Sequence, residues 1–209
     1  MLSKLYQQHI FPQLLNQVMQ TPALMDLRRA LLLPIQGEVL EIGFGTGINL
    51  PFYQNVDSLY ALEPNPVFFQ LAEPRILQSP FYVEHVMGHA EQLPFANARF
   101  QHIVSTWTLC SVQNLAQSLA EIFRVLQPGA YLHLVEHVLH RESLALQRLQ
   151  HLLTPIQKRL ADGCHLNRDI ETALFEAGFE IETLNYIKAE GLPRIGQYML
   201  FARVRRPKA

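Results

Sequence analysis

The run Glu38-Val39-Leu40-Glu41-Ile42 passes directly into Gly43-Phe44-Gly45-Thr46-Gly47. A short apolar stretch ending in alternating glycines reads as a buried strand that breaks into a tight turn. Glycine lets the chain turn sharply and brings backbone N–H and C=O groups against a ligand that a Cβ would exclude. The spacing is G-x-G-x-G, not the G-x-G-x-x-G of a dinucleotide loop, whose third glycine packs a helix close to the pyrophosphate. Mixed carbonyl and N–H contacts with a nearby carboxylate, here Glu41, suit a zwitterionic amino-acid tail. A purely structural turn is the bland alternative. The loop is expected to lead into a helix.

The rest of the chain is consistent with a strand–loop–helix origin for this turn. Residues 3–33 carry helical apolar spacing broken at Thr21-Pro22, which predicts two helices. Strands are expected at 38–42, 58–62, 81–87, 100–107 and 131–138. Helices are expected at 66–77, with Pro74 straining the last turn, and at 112–126, stopping at Gln127-Pro128-Gly129. Two more are expected at 142–160 and at 167–177, the latter capped by Asn167. Strands at 179–186 and 197–204 are joined by a short Gly/Pro-bearing connection and are expected to pair antiparallel. This is the pattern of one open, doubly wound α/β sheet, whose ligand site lies at the carboxyl ends of the first strands. The 209 residues suit a single domain, 1–209, with a helical cap at 1–35, a core at 36–140 and substrate-side elements at 141–209.

Composition narrows the class. Apolar residues make up 49% and the net charge is −1, which excludes a disordered chain and a nucleic-acid-binding field. The basic tail Arg203, Arg205, Arg206 and Lys208 reads as a solvated end, with at most peripheral contact with an anionic surface. No apolar run approaches the roughly 18 residues of a membrane span, and the first residues lack the apolar core of a secretory signal. Two cysteines, Cys110 and Cys164, are too few for a disulfide framework, so a reducing, cytoplasmic setting is expected.

Glu63 ends the second strand, where a carboxylate can accept hydrogen bonds from both hydroxyls of a ribose. Pro64-Asn65-Pro66 fixes a turn beside it. Gly88-His89-Ala90-Glu91-Gln92-Leu93-Pro94-Phe95 follows the third strand and can present the Ala90 N–H and the His89 ring to an adenine edge. Thr106-Trp107-Thr108-Leu109-Cys110-Ser111-Val112 follows the fourth strand, opposite the glycine loop. His133, His137 and His140 are not completed by a carboxylate or cysteine, so no metal is expected. Cys110 reads as a small buried hydrophobe.

Taken in order, E-I-G-F-G-T-G, the acidic end of strand two, G-H-A-E-Q-L-P-F and the helix leading to L-Q-P-G-A resemble a class I S-adenosylmethionine-dependent methyltransferase. With E-P-N-P, T-L-C-S-V, V-E-H-V and D-G-C-H-L-N-R, residues 38–190 are similar to the thiol S-methyltransferase group and its small bacterial relatives. The resemblance implies a Rossmann-like, seven-stranded, mostly parallel sheet with an antiparallel C-terminal strand and helices on both faces. It implies S-adenosylmethionine as cofactor and S-adenosylhomocysteine as product. Gly43, Gly45, Thr46 and Gly47 would wrap the methionine portion, with Glu41 supporting the loop and Glu63 holding the ribose. Asn65, His89, Ala90 and Glu91 would border the adenine, and Thr106 would approach the amino-acid end. His89 departs from the aspartate of many relatives, and Ala130 from the second glycine of a P-G-G turn.

Methyl transfer asks mainly for alignment of acceptor and methyl and for exclusion of water. A thiol must still become a thiolate, and Glu136 and His137, ending strand five, are the candidate bases. Asp162-Gly163-Cys164-His165 is placed to cap the cleft. The acceptor pocket is expected from the N-terminal helices around Tyr6 and His9 and from residues 142–166, with Leu144, Leu149, Leu152 and Leu153 on its wall. A small, apolar acceptor follows, a thiol by resemblance. Quinone-ring or phospholipid-headgroup methylation, a nicotinamide-dependent reductase and a non-catalytic cofactor-binding module are the alternatives.

Overall fold

The computed structural model describes Tyr6 and residues 10–208. Helices α1 (Phe11–Val18) and α2 (Pro22–Leu32) precede β1 (Gln36–Ile42). The break between the helices is at Thr21, which is extended (φ −62°, ψ 145°) because the following Pro22 disfavours a helical conformation there. Then follow β2 (Asn55–Leu62), α3 (Pro66–Ile76), β3 (Tyr82–Val86), β4 (Phe100–Thr106), α4 (Leu115–Val125) and β5 (Leu126–His137). The chain closes with α5 (Leu144–Leu160), α6 (Ile170–Glu176), β6 (Glu180–Lys188) and β7 (Tyr198–Arg205).

The seven strands lie in the order β3-β2-β1-β4-β5-β7-β6, a Rossmann-like sheet. Neighbours from β3 to β5 run parallel, and β7 runs antiparallel to both β5 and β6. The strand order reverses between β1 and β4, so the loops leaving their carboxyl ends diverge and leave a crevice. Alternate residues serve opposite faces. Leu40, Ile42, Ile103, Leu132 and Leu134 pack with Leu119 and Ile122 of α4 and with Ile170 and Leu174 of α6. Val39, Leu59, Ala61, Val104 and Val135 pack against Leu24, Leu27, Leu31 and Leu32 of α2. Burial on both faces explains why these strands are apolar nearly throughout.

Four local expectations are corrected. Gly47 leads into a single 3₁₀ turn, Leu50–Phe52, in place of a helix; Pro51 and the start of β2 at Asn55 leave no room for more. β5 begins at Leu126, not 131, and absorbs Pro128-Gly129 as an irregularity, since register shifts from Phe100↔Leu126 to His102↔Tyr131. The cap of α6 is Asp169, whose side chain accepts from the Thr172 N–H, while Asn167 instead accepts from Thr154 Oγ1 at 3.1 Å. Leu144 and Leu152 are 70% and 71% exposed, so they neither cover the sheet nor line a pocket. No described helix is long and apolar enough to cross a membrane.

Candidate active site

The carboxyl ends of β1, β2 and β4 open into a cavity of about 1120 Å³. Gly43, Gly45 and Gly47 adopt φ of +70°, +57° and +72°. Their missing side chains serve different ends. A Cβ on Gly43 would come within 2.1 Å of Thr108 Oγ1, and one on Gly47 would press on Phe44 and Ala72 at 3.1 and 3.2 Å. A Cβ on Gly45 would meet nothing nearer than 3.9 Å. Gly43 and Gly47 are therefore glycine for packing. Gly45 leaves open a space on the cavity wall that a side chain would fill.

Glu63 lies beside this loop, 5% exposed, and accepts the N–H of Gly45 at 2.8 Å on one oxygen and that of Asn65 at 2.9 Å on the other. Burial raises its pKa, and those two N–H groups oppose the rise. Each oxygen keeps further acceptor capacity, which fits a pair of ribose hydroxyls. Glu41 lies below the wall and accepts from Asn49 Nδ2 at 2.9 Å and Tyr53 Oη at 2.7 Å. Complete burial pushes its pKa up to about 7. Asn49 also donates to Thr106 Oγ1 at 3.0 Å and accepts from Arg28 Nε at 2.9 Å. Arg28 is 3% exposed, its guanidinium 4.5 Å from the centre of the Trp107 ring, with its pKa lowered by burial to about 10. Sequence reasoning missed Arg28 and Asn49. The signal was present for Arg28: it falls on the inward stripe of α2 between Leu24 and Leu32, where a charge needs a reason.

Thr46, Asn65, His89, Ala90, Glu91 and Thr106 also line the cavity. Several are already engaged. Thr46 Oγ1 donates to Asn16 of α1 at 2.8 Å, Asn65 caps α3 through Val67 N–H at 3.0 Å, and Glu91 accepts the N–H groups of Gln113 and Asn114 ahead of α4. His89 is exposed and Ala90 buried.

The far end of the cavity is assembled from distant segments. Trp107 and Asp162 both sit at positive φ, +53° and +43°, and both line it; such backbone is costly and concentrates at functional sites. Gln157, Leu160 and the 161–166 loop close one side, and the β6–β7 connection at Leu192, Pro193 and Ile195 another. That connection was read only as a turn. Tyr6 lines the wall and donates to the Leu160 carbonyl at 3.0 Å, whereas His9 lies outside the described residues. Of the two candidate bases, Glu136 is wholly buried. It accepts from Ser105 Oγ at 2.7 Å and from the N–H groups of Thr108, Leu109 and Cys110 at 3.0–3.1 Å. It anchors the turn after β4. His137 lines the cavity, and its Nε2 faces the Ile195 carbonyl at 3.2 Å. A carbonyl only accepts, so Nε2 carries a proton, and in the neutral ring the lone pair then lies on Nδ1. Nδ1 has no hydrogen-bond partner among the described residues. His133 and His140 are occupied elsewhere, by His102 and by stacking on Tyr198, and no cluster fit for a metal occurs among the described residues.

A family model described as a methyltransferase domain matches residues 40–134. The chain is 37% identical over 147 residues to thiol S-methyltransferase TMT1B of Rattus norvegicus, covering 66% of this chain and 59% of that protein. It is 35% identical over 156 residues to thiol S-methyltransferase TMT1A of Homo sapiens, covering 72% and 63%. The chain thus spans about three-fifths of the length of these relatives. A solved structure from Bacillus halodurans shares the fold, superposing with a TM-score of 0.67 at 23% identity and covering 88% of this chain and 98% of that one. Sheet order, glycine loop and Glu63 agree with the likeness in sequence: the chain belongs to the class I S-adenosylmethionine-dependent methyltransferases.

Proposed function

We propose that this chain moves a methyl group from S-adenosylmethionine to the sulfur of a small, apolar thiol. The observation that carries the reading is a single cavity of about 1120 Å³ with two unlike ends, larger than the roughly 300–1,000 Å³ that one small ligand occupies. One end is backbone, carboxylate and a buried cation; the other is apolar wall with His137. The names of the relatives support sulfur as the acceptor atom.

S-adenosylmethionine, when bound, supplies an activated sulfonium methyl. The chain's own residues do the rest. Gly45 leaves room for the cofactor, Glu63 takes the ribose hydroxyls, and Arg28 offers a buried positive charge to a carboxylate at the methionine end. His137 accepts the acceptor's proton, and Glu136 positions the turn after β4. Exposed Leu14 and Val18 on α1 and Ile156 and Leu160 on α5 give an apolar acceptor a route in, including by peripheral contact with a lipid surface. We assign the chain to a reducing, cytoplasmic setting, with a small molecule as partner.

Calorimetric titration with S-adenosylmethionine tests the cofactor half. Micromolar binding, on the order of −7 to −8 kcal/mol, is expected. Glu63→Ala should weaken it by roughly 1.5 to 3 kcal/mol, because a charged acceptor is lost. A titration without heat, and without competition by S-adenosylhomocysteine, contradicts the reading.

A further inference from the structure

Methyl transfer as proposed above uses neither cysteine, yet both stand on the cavity wall. Cys110 lies in the turn after β4 and Cys164 in the loop between α5 and α6. Both are free thiols, with their sulfurs 3.8 Å apart. The backbones that carry them are fixed to one another. The His165 N–H donates to the Cys110 carbonyl at 2.8 Å. Gly163 approaches Ser111 so closely that a Cβ would lie 2.9 Å from its carbonyl oxygen. Arg168 donates to the carbonyls of Leu109 and Val112, and Glu136 holds the Cys110 N–H from below at 3.1 Å. The two sulfurs are in contact, and a bond between them requires closing from 3.8 Å to roughly 2 Å.

The two thiols are not equivalent. Cys110 is 2% exposed, whereas Cys164 is half-buried at the loop edge. A hydrogen bond from Cys110 stabilises a thiolate at Cys164 and pushes its pKa down to about 5. Sharing with Cys164, and burial, push Cys110 well up. One sulfur is therefore a ready nucleophile and the other holds its proton until called upon.

We propose that Cys110 and Cys164 are a redox-active dithiol that reduces low-molecular-weight disulfides entering the apolar end of the cavity. The Cys164 thiolate attacks one sulfur of the disulfide, whose S–S bond breaks and releases the first thiolate. That thiolate takes the proton of Cys110. Cys110 sulfur then attacks Cys164 sulfur, the mixed disulfide breaks, and the second thiolate leaves. One disulfide is reduced to one thiol and one thiolate while the two cysteines are oxidised to a bridge, and a dithiol reductant resets the pair. Both products are released on the cavity wall. That they can serve there as methyl acceptors rests on the thiol reading of the previous subsection; the exchange itself does not.

The test needs no S-adenosylmethionine. The reduced full chain is mixed with 4,4′-dithiodipyridine, the released pyridinethione is followed by absorbance, and the protein is weighed by mass spectrometry. Two equivalents of pyridinethione are expected, with a protein mass lower by two hydrogens and a peptide joining Cys110 to Cys164. Cys110→Ser should release one equivalent and retain an adduct on Cys164. Cys164→Ser should react at least about tenfold more slowly, since Cys110 is buried and protonated. Two separate adducts on the wild-type chain, a lasting single adduct on Cys164, or no reaction would overturn the proposal. So would a Cys164→Ser chain that reacts at the wild-type rate. Loss of methyl transfer with this chemistry intact, or the reverse, separates the two readings.

Discussion

The two ends of the cavity are built on different principles. The end bearing the glycine loop uses groups that leave the strands directly: Gly45 three residues after β1, Glu63 one residue after β2, and Ala90 shortly after β3. Its chemistry is carried largely by backbone, shaped by glycine and one carboxylate at fixed offsets. The acceptor end uses side chains joined across long stretches of chain. Cys110 meets Cys164 over 54 positions, His137 meets Ile195 over 58, and Tyr6 meets Leu160 over 154. A backbone-borne site leaves its signature in consecutive residues, whereas a side-chain-borne site exists only once the fold has formed.

Glu136 tests that contrast most severely, because it holds the turn that carries Cys110 at the acceptor end. Glu136→Ala would strand three N–H groups and the Ser105 hydroxyl in the core. At roughly 1–3 kcal/mol for each buried unsatisfied donor, before relaxation, a loss of at least about 3 kcal/mol in chemical denaturation is expected. A loss below 1 kcal/mol would free Glu136 for the role of base.

Glu41 probes the other end. Its native pKa of about 7 exceeds the ordinary 4.5. A carboxyl raised by folding gives stability that is full below its unfolded pKa and lost as pH rises through the native one. The unfolding free energy of the wild type relative to Glu41→Gln should therefore fall by about 3 kcal/mol between pH 4.5 and 8. His133, depressed by burial to about 3, acts with the opposite sign over pH 3 to 6.5 but cancels in this difference. A flat difference would place the Glu41 proton elsewhere.

Gly45→Ala sharpens the comparison at the smallest scale. Open space at its Cβ position leaves only the strain of φ +57°, about 1 kcal/mol. Cofactor affinity should nevertheless drop at least tenfold in calorimetry. Unchanged affinity would move the ligand away from the loop.

Legibility in the sequence followed the same division. The doubly wound sheet, its seven strands and the antiparallel pair at the end could be read because apolar runs and turn residues report them locally. The ends of elements were less certain where two residues of one kind compete: Asn167 and Asp169 are both capable caps, and only the packing of Asn167 against Thr154 decides. Glu136 reads as a base because strand ends often carry one, and nothing nearby reveals the three N–H groups that turn back onto it. Leu144 and Leu152 read as pocket or core by spacing alone, and the solvent they face cannot be seen in a pattern of residues.

The central claim is methyl transfer to sulfur, and the most direct measurement is the identity of the product. The full chain is incubated with S-adenosylmethionine carrying a deuterated methyl group and with a panel of alkyl and aryl thiols, quinols and lipid headgroups. The products are then resolved by mass spectrometry. Deuterated methyl thioethers in step with S-adenosylhomocysteine, sharply reduced by His137→Gln, are the expected result. A chain that binds S-adenosylmethionine yet labels oxygen, nitrogen or carbon in preference to every thiol would contradict it.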